Sequence, residues 1–181
     1  MCNGPAGLFA HHIIIMREKI KDIAASIVEW CVQNGSTIAT AESCTGGSIA
    51  AAITGVAGCS AVYKGSVVAY SNEVKAAVLG VGEDTLALHG AVSEEVVGQM
   101  ARGVQRVMNA HCAVATSGIA GPGGGTPEKP VGTVWMAVAV GSEVFTRLLQ
   151  MNDKGREANI EYTVLCALSF LSACVAGVER G

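Results

Sequence analysis

Apolar residues in this chain switch repeatedly between helical and strand spacing, and that alternation leaves few folds open. Ile20, Ile23, Ala24, Ile27 and Cys31 recur at helical intervals over 17–33, and Asn34-Gly35 supplies a stop. Residues 36–41 read as a short strand, 48–53 as an alanine-rich helix, and 61–70 as β structure broken or bulged at Gly65. Ser71 or Asn72 can cap a helix that carries Lys75, Ala76 and Val78 and ends near Gly80. A helical turn over 83–88 follows, then a longer helix capped by Ser93 and ending near Asn109. Strands over 111–116, 131–140 and 144–149 and a closing helix over 154–176 complete the pattern. Strands alternating with helices predict an α/β fold: a single domain with a mixed β-sheet and helices packed on both faces.

Composition narrows what such a domain can do. The 181 residues suit one domain. Half the chain is hydrophobic, 15% is charged and only 4% aromatic, so the core must be built from small side chains in closely packed elements. A net charge of −3 and the lack of any Lys/Arg run argue against nucleic-acid binding by phosphate neutralisation. Seven cysteines, none spaced as Cys-x-x-Cys, read as reduced thiols of a cytoplasmic protein. The four histidines form no His-Glu-x-x-His or Cys/His cluster, so no metal is expected. No run reaches the ~18 uninterrupted apolar residues of a membrane span. Residues 1–15 lack a basic leader region and read as a disordered extension to a domain over 16–181. The wealth of apolar and small residues suits a homo-oligomer.

Three segments have the residue types that chemistry needs. In Ala41-Glu42-Ser43-Cys44-Thr45-Gly46-Gly47, a serine sits between a strand and a helix start, where unpaired N–H groups can hold an oxyanion or a phosphate. A serine at that place is more often only a cap, and no Gly-x-Ser-x-Gly elbow is present. In Tyr70-Ser71-Asn72-Glu73-Val74-Lys75, the lysine falls in a first helical turn, where the macrodipole disfavours the ammonium by about 0.3–1 kcal/mol. A lysine base near neutrality needs its pKa lowered by about three units, so burial or a donor such as the Tyr70 hydroxyl must add to the dipole. The plain alternative is a solvated lysine whose stem covers apolar surface. The third segment runs from Thr116 to Pro130 and is rich in glycine. It is neither a Walker loop nor a dinucleotide fingerprint; it is a phosphate-binding loop paired with Lys129 or a mobile surface loop.

Together and in this order these segments resemble the CinA C-terminal domain family. The matching strings are Thr-Ala-Glu-Ser-Cys-Thr-Gly-Gly (40–47), Tyr-Ser-Asn-Glu-Val-Lys (70–75), His-Gly-Ala-Val-Ser (89–93), Ser-Gly-Ile-Ala-Gly-Pro-Gly-Gly (117–124) and Lys-Pro-Val-Gly-Thr-Val-Trp (129–135). The resemblance covers about residues 17–175 and implies a cofactor-free amidohydrolase acting on a small nucleotide: nicotinamide mononucleotide is converted to nicotinic acid mononucleotide and ammonia in pyridine nucleotide recycling. It implies Ser43 as nucleophile, Lys75 as base and Tyr70 on the proton path. Substrate would be held by Cys44, Thr45, Gly46 and Gly47, or by Ser117, Gly118, Gly121, Gly123, Gly124 and Lys129. The rival reading is a non-catalytic binding or assembly module of the same family. A pyrophosphatase built on the glycine loop would need a carboxylate cluster for magnesium, which these segments lack.

Overall fold

The computed structural model describes the backbone of residues 5–178 and the side chains of residues 14–177. The elements in chain order are α1 (Pro5–Gln33), β1 (Ile38–Glu42), α2 (Ser48–Thr54), β2 (Tyr63–Val68), α3 (Asn72–Leu79), α4 (Glu83–His89), α5 (Glu94–Val107), β3 (Cys112–Gly118), β4 (Thr133–Val140), β5 (Glu143–Gln150) and α6 (Arg156–Val178). The strands form one sheet in the order β2-β1-β3-β4-β5. β1 is parallel to β2 and β3, whereas β4 and β5 are antiparallel to their neighbours, so the sheet is mixed as the alternation predicts.

Local signals account for most boundaries. Ser71 and Ser93 cap α3 and α5 by accepting from the Val74 and Val96 N–H groups. Gly80 closes α3 in the left-handed region, at φ 70°. The register between β1 and β2 slips after Ile38↔Tyr63, so that Gly65 pairs with Ala39 and Lys64 is the bulged residue beside the expected break. The first helix departs from expectation. α1 runs continuously from Pro5 through the boundary placed at residue 15, with Pro5 at a first helical position, where its missing N–H has no intrahelical partner to lose. Residues 1–4 lie outside the described residues.

Period-two alternation divides the sheet into two faces of different character. Ile38, Cys112, Val114, Val134, Met136, Val138 and Val140 pack against α1, α2 and α6. Ala39, Ala41, Ala113, Ala115, Ala137 and Ala139 point the other way, towards α3 and α5. Alanine on that face lets α5 lie close to the strands. Gly103 does the same between helices, because a Cβ there would meet the Leu79 carbonyl oxygen of α3 at 2.1 Å. Among the described helices only α6, over Arg156–Gly177, is long and apolar enough to cross a membrane. Here it places Val164, Ala167, Leu168 and Leu171 in the core instead.

Candidate active site

The chain reaches β2 from β1 through α2 on one face of the sheet, then reaches β3 through α3, α4 and α5 on the other. The direction of winding therefore reverses between β1 and β3. The carboxyl ends of those strands form the crevice in which open α/β sheets bind ligands. Ser43, the first residue beyond β1, stands at that point and continues the ladder by donating its N–H to the Thr116 carbonyl at 3.0 Å.

The turn that carries Ser43 is organised by the residue before it. Glu42 is completely buried. Its carboxylate accepts from the N–H groups of Gly47 (3.0 Å), Ile49 (3.0 Å) and Ala50 (2.8 Å) and from the Thr45 hydroxyl (2.7 Å). Thr45 also meets the Thr116 hydroxyl at 2.9 Å, tying the turn to β3. A carboxylate from the end of a strand thus satisfies the start of α2, and the helix N-cap itself is Gly47, at φ 100°. Gly46, at φ 60°, completes a tight turn that a side chain would strain.

This arrangement distinguishes among Cys44 to Gly47, the four residues of the turn expected to hold substrate. The Gly46 N–H goes to the Ser43 carbonyl and that of Gly47 to Glu42. Among the described residues, Cys44 and Thr45 are left as the positions of this turn whose N–H groups are given neither to a backbone carbonyl nor to Glu42.

Lys75 reaches the same point from α3. It is 2% exposed, and its Nζ donates to Ser43 Oγ at 3.1 Å and to the Ala69 carbonyl at 2.8 Å. Burial lowers its pKa below the ordinary lysine value, opposed by the negative charges that Cys44 and Glu73 would carry. Burial also pushes the Cys44 thiol up to about 12, so that thiol is neutral near pH 7 and Glu73 is left as the opposing charge. The solvated-lysine alternative does not describe this side chain.

Tyr70 stands apart from the pair. It is 60% exposed, and its hydroxyl accepts from Arg156 Nη2 at 2.7 Å. Among the described residues no hydrogen bond joins it to Ser43 or Lys75. The structure thus gives Tyr70 a different partner from the one its expected place on the proton path requires. Arg156 also donates from Nη1 to the Gly121 carbonyl at 2.9 Å, so it bridges the loop after β2 and the glycine loop. Sequence reasoning missed it. The available signal was a cation at the start of α6, where the helix dipole disfavours one.

The glycine loop is pinned rather than free. Ser117 is buried and donates to the Ala91 carbonyl at 2.6 Å, and Lys129 Nζ donates to the carbonyls of His89 (2.9 Å) and Val92 (2.8 Å). Both side chains, expected to hold substrate, hold the 89–93 segment. Gly118 is a packing position, since a Cβ there would lie 2.5 Å from Val134 Cγ2. A Cβ at Gly121 would lie 2.7 Å from Val131 Cγ1, whereas Gly123 has nothing within 4 Å and Gly124 only Ile119 at 3.7 Å, so the tip is open. Asn159 of α6 fastens the base of the loop by donating to the Ala120 carbonyl at 3.1 Å. Among the described residues no three His, Cys, Asp or Glu side chains come together as a metal site.

The profile of the CinA C-terminal domain matches residues 20–175. A nicotinamide-nucleotide amidohydrolase PncC from Pseudomonas putida is 48% identical over 154 residues, covering 85% of this chain and 96% of that protein. A CinA-like protein from Cytophaga hutchinsonii is 52% identical over 139 residues; the match takes in 77% of this chain but only 33% of that longer protein. Among solved structures, competence/damage inducible protein CihA from Agrobacterium tumefaciens superposes with a TM-score of 0.84 at 44% identity, covering 86% of this chain and 94% of that one.

Proposed function

The chain belongs to the CinA C-terminal domain family, and from that membership and the contact between Ser43 and Lys75 we propose that it hydrolyses the carboxamide of nicotinamide mononucleotide, giving nicotinic acid mononucleotide and ammonia. The single observation that carries the mechanism is the buried Lys75 Nζ lying 3.1 Å from Ser43 Oγ. A neutral amine has a lone pair for the hydroxyl proton, so the same contact serves proton abstraction as Ser43 attacks the amide carbon. The Cys44 and Thr45 N–H groups hold the oxyanion, a contribution of about 3–4 kcal/mol. The ammonium of Lys75 then protonates the departing nitrogen, ammonia leaves, and water cleaves the acyl-enzyme by the reverse use of the same amine.

Arg156 is the cation we assign to the substrate phosphate: the Gly121 carbonyl and the Tyr70 hydroxyl take two of its five N–H groups, whereas two carbonyls take two of the three on Lys129. Tyr70 orients that arginine from the rim. The reading places the catalytic unit in residues 16–181 and the protein in the cytoplasm as a homo-oligomer that recycles pyridine nucleotide.

The test is ammonia release from nicotinamide mononucleotide, with free nicotinamide as control, by wild type, Ser43→Ala and Lys75→Ala side by side. Turnover by wild type alone supports the dyad. Turnover retained in either pure, folded variant removes the mechanism, and an inactive wild type returns the protein to the non-catalytic members of the family.

A further inference from the structure

We infer that β5 is the edge along which two copies of this chain associate, through an antiparallel, two-fold pairing of β5 with β5 centred on Phe145. The inference stands apart from the amidase reading, since no residue of the strand belongs to the candidate active site.

β5 ends the sheet and is hydrogen-bonded on one side only, to β4. It is 8 residues long and contains no proline. A long unprotected edge is a template for another strand, which natural sheets normally blunt. The tight Gly141-Ser142 turn makes Val140↔Glu143 the closing pair, hydrogen-bonded as in hairpins of this kind. By the alternation of an antiparallel ladder, Val144, Thr146 and Leu148 then direct their N–H and C=O groups outward, free for a second strand.

The side chains choose the occupant and the register. Glu143, Phe145 and Arg147 share one face of the strand and line a shallow apolar groove with Phe170, Ala173 and Cys174 of α6. Among the described residues neither Glu143 nor Arg147 has an ion-pair partner; the Arg147 guanidinium lies over the Phe170 ring at 4.4 Å. These opposite charges stand symmetrically about Phe145. Antiparallel pairing centred there sets each Glu143 opposite Arg147 of the second copy, joins the two Phe145 rings across the groove, and lets Val144 and Thr146 exchange hydrogen bonds. The charged and aromatic pairs are then non-hydrogen-bonded ones, where Cα atoms approach to about 4.5 Å and side chains meet most closely. The neighbouring allowed register, centred on Thr146, would set Glu143 against Leu149 and Arg147 against Phe145 and leave both charges unmatched. The two-fold arrangement also closes: it uses up both open β5 edges, whereas a head-to-tail contact would leave one for further growth.

Sedimentation equilibrium of the whole chain tests this. Wild type is expected to dimerise. Glu143→Arg and Arg147→Glu are each expected to raise the dimer dissociation constant at least about tenfold, because like charges then face each other across the axis. Combining both reversals restores opposite pairs and is expected to recover dimerisation. Thr146→Pro, which removes an outward donor on an edge that tolerates proline, is expected to give monomer. Circular dichroism and retained amidase turnover report that each variant is folded. A wild type that stays monomeric at its highest soluble concentration overturns the inference. So does association that is unmoved by the single reversals, or a double reversal no better than the singles.

Discussion

Glu42 and Lys75 are both buried ionisable side chains, and their surroundings treat them oppositely. Glu42 is surrounded by donors, whereas Lys75 has one carbonyl and one hydroxyl and no carboxylate. The consequence for Lys75 can be measured in two ways. On the proposed mechanism the amine must be neutral, so kcat/KM is expected to rise with pH through a pKa below the ordinary lysine value of 10.5, which a pH–rate profile reads. The unfolded chain binds more protons than the folded one between the lowered pKa and that ordinary value. The folded state therefore gains stability from this group as pH rises across that window and loses it as pH falls. Lys75→Met is expected to remove this slope from thermal melts taken across pH while reducing turnover by about a thousandfold or more. Arg156 is predicted to act on binding. Arg156→Ala is expected to raise KM for the nucleotide about tenfold to a hundredfold with a smaller change in kcat, the size of a charged hydrogen bond. Steady-state kinetics separate the two parameters.

At the scale of the element, α2 is a short helix whose first N–H groups are satisfied from the strand that precedes it. Gly47 at the N-cap offers no side chain, so Glu42 is the acceptor that starts the helix and sets the conformation of the turn between them. Glu42→Gln puts an amide NH2 where one of the accepting oxygens was, leaving a buried N–H facing a donor. The expected cost is about 1–3 kcal/mol, read as a lowered Tm. Because Ser43 and the Cys44 and Thr45 N–H groups lie on that turn, kcat is expected to fall more than KM rises. α3 shows the complementary arrangement: its cap comes from its own Ser71, and its first turn delivers Lys75 inward while Glu73 stays at the surface.

At the scale of the whole molecule, the two faces of the sheet divide the labour. The face with Ile38, Val114, Met136 and Val138 builds the larger core with α1, α2 and α6. The alanine face allows α5 to pack close, and α3 in turn packs on α5 across Gly103, which draws Lys75 towards the end of β1. The site is thus held by contacts from both layers, and α6 closes it from a third direction through Arg156 and Asn159. Pairing of β5 edges would add stability by mass action. Tm is therefore expected to rise with protein concentration in wild type and to become concentration-independent in Thr146→Pro, as differential scanning calorimetry over a dilution series would read.

The elements themselves were legible from the chain, because their signals are local. Caps at Ser71 and Ser93, the stop at Gly80, the break beside Gly65 and the change of apolar period each act within a few residues. The strings around Ser43, Tyr70 and Lys75 likewise indicated the family before any geometry. Tertiary structure alone decided who touches whom. The meeting of Lys75 with Ser43 depends on how β1, β2 and α3 pack, and Tyr70 turned to Arg156, far away along the chain, rather than to its neighbour Lys75. Lys129 and Ser117 looked like ligands but were taken by carbonyls of the 89–93 segment. Glu42, which the sequence placed just beyond the first strand, is the last residue of β1, and its carboxylate caps the start of α2. The physical reason is common to these cases. Backbone preference is set over a few residues, whereas a buried polar atom takes whichever partner the packing of distant elements brings within hydrogen-bonding distance.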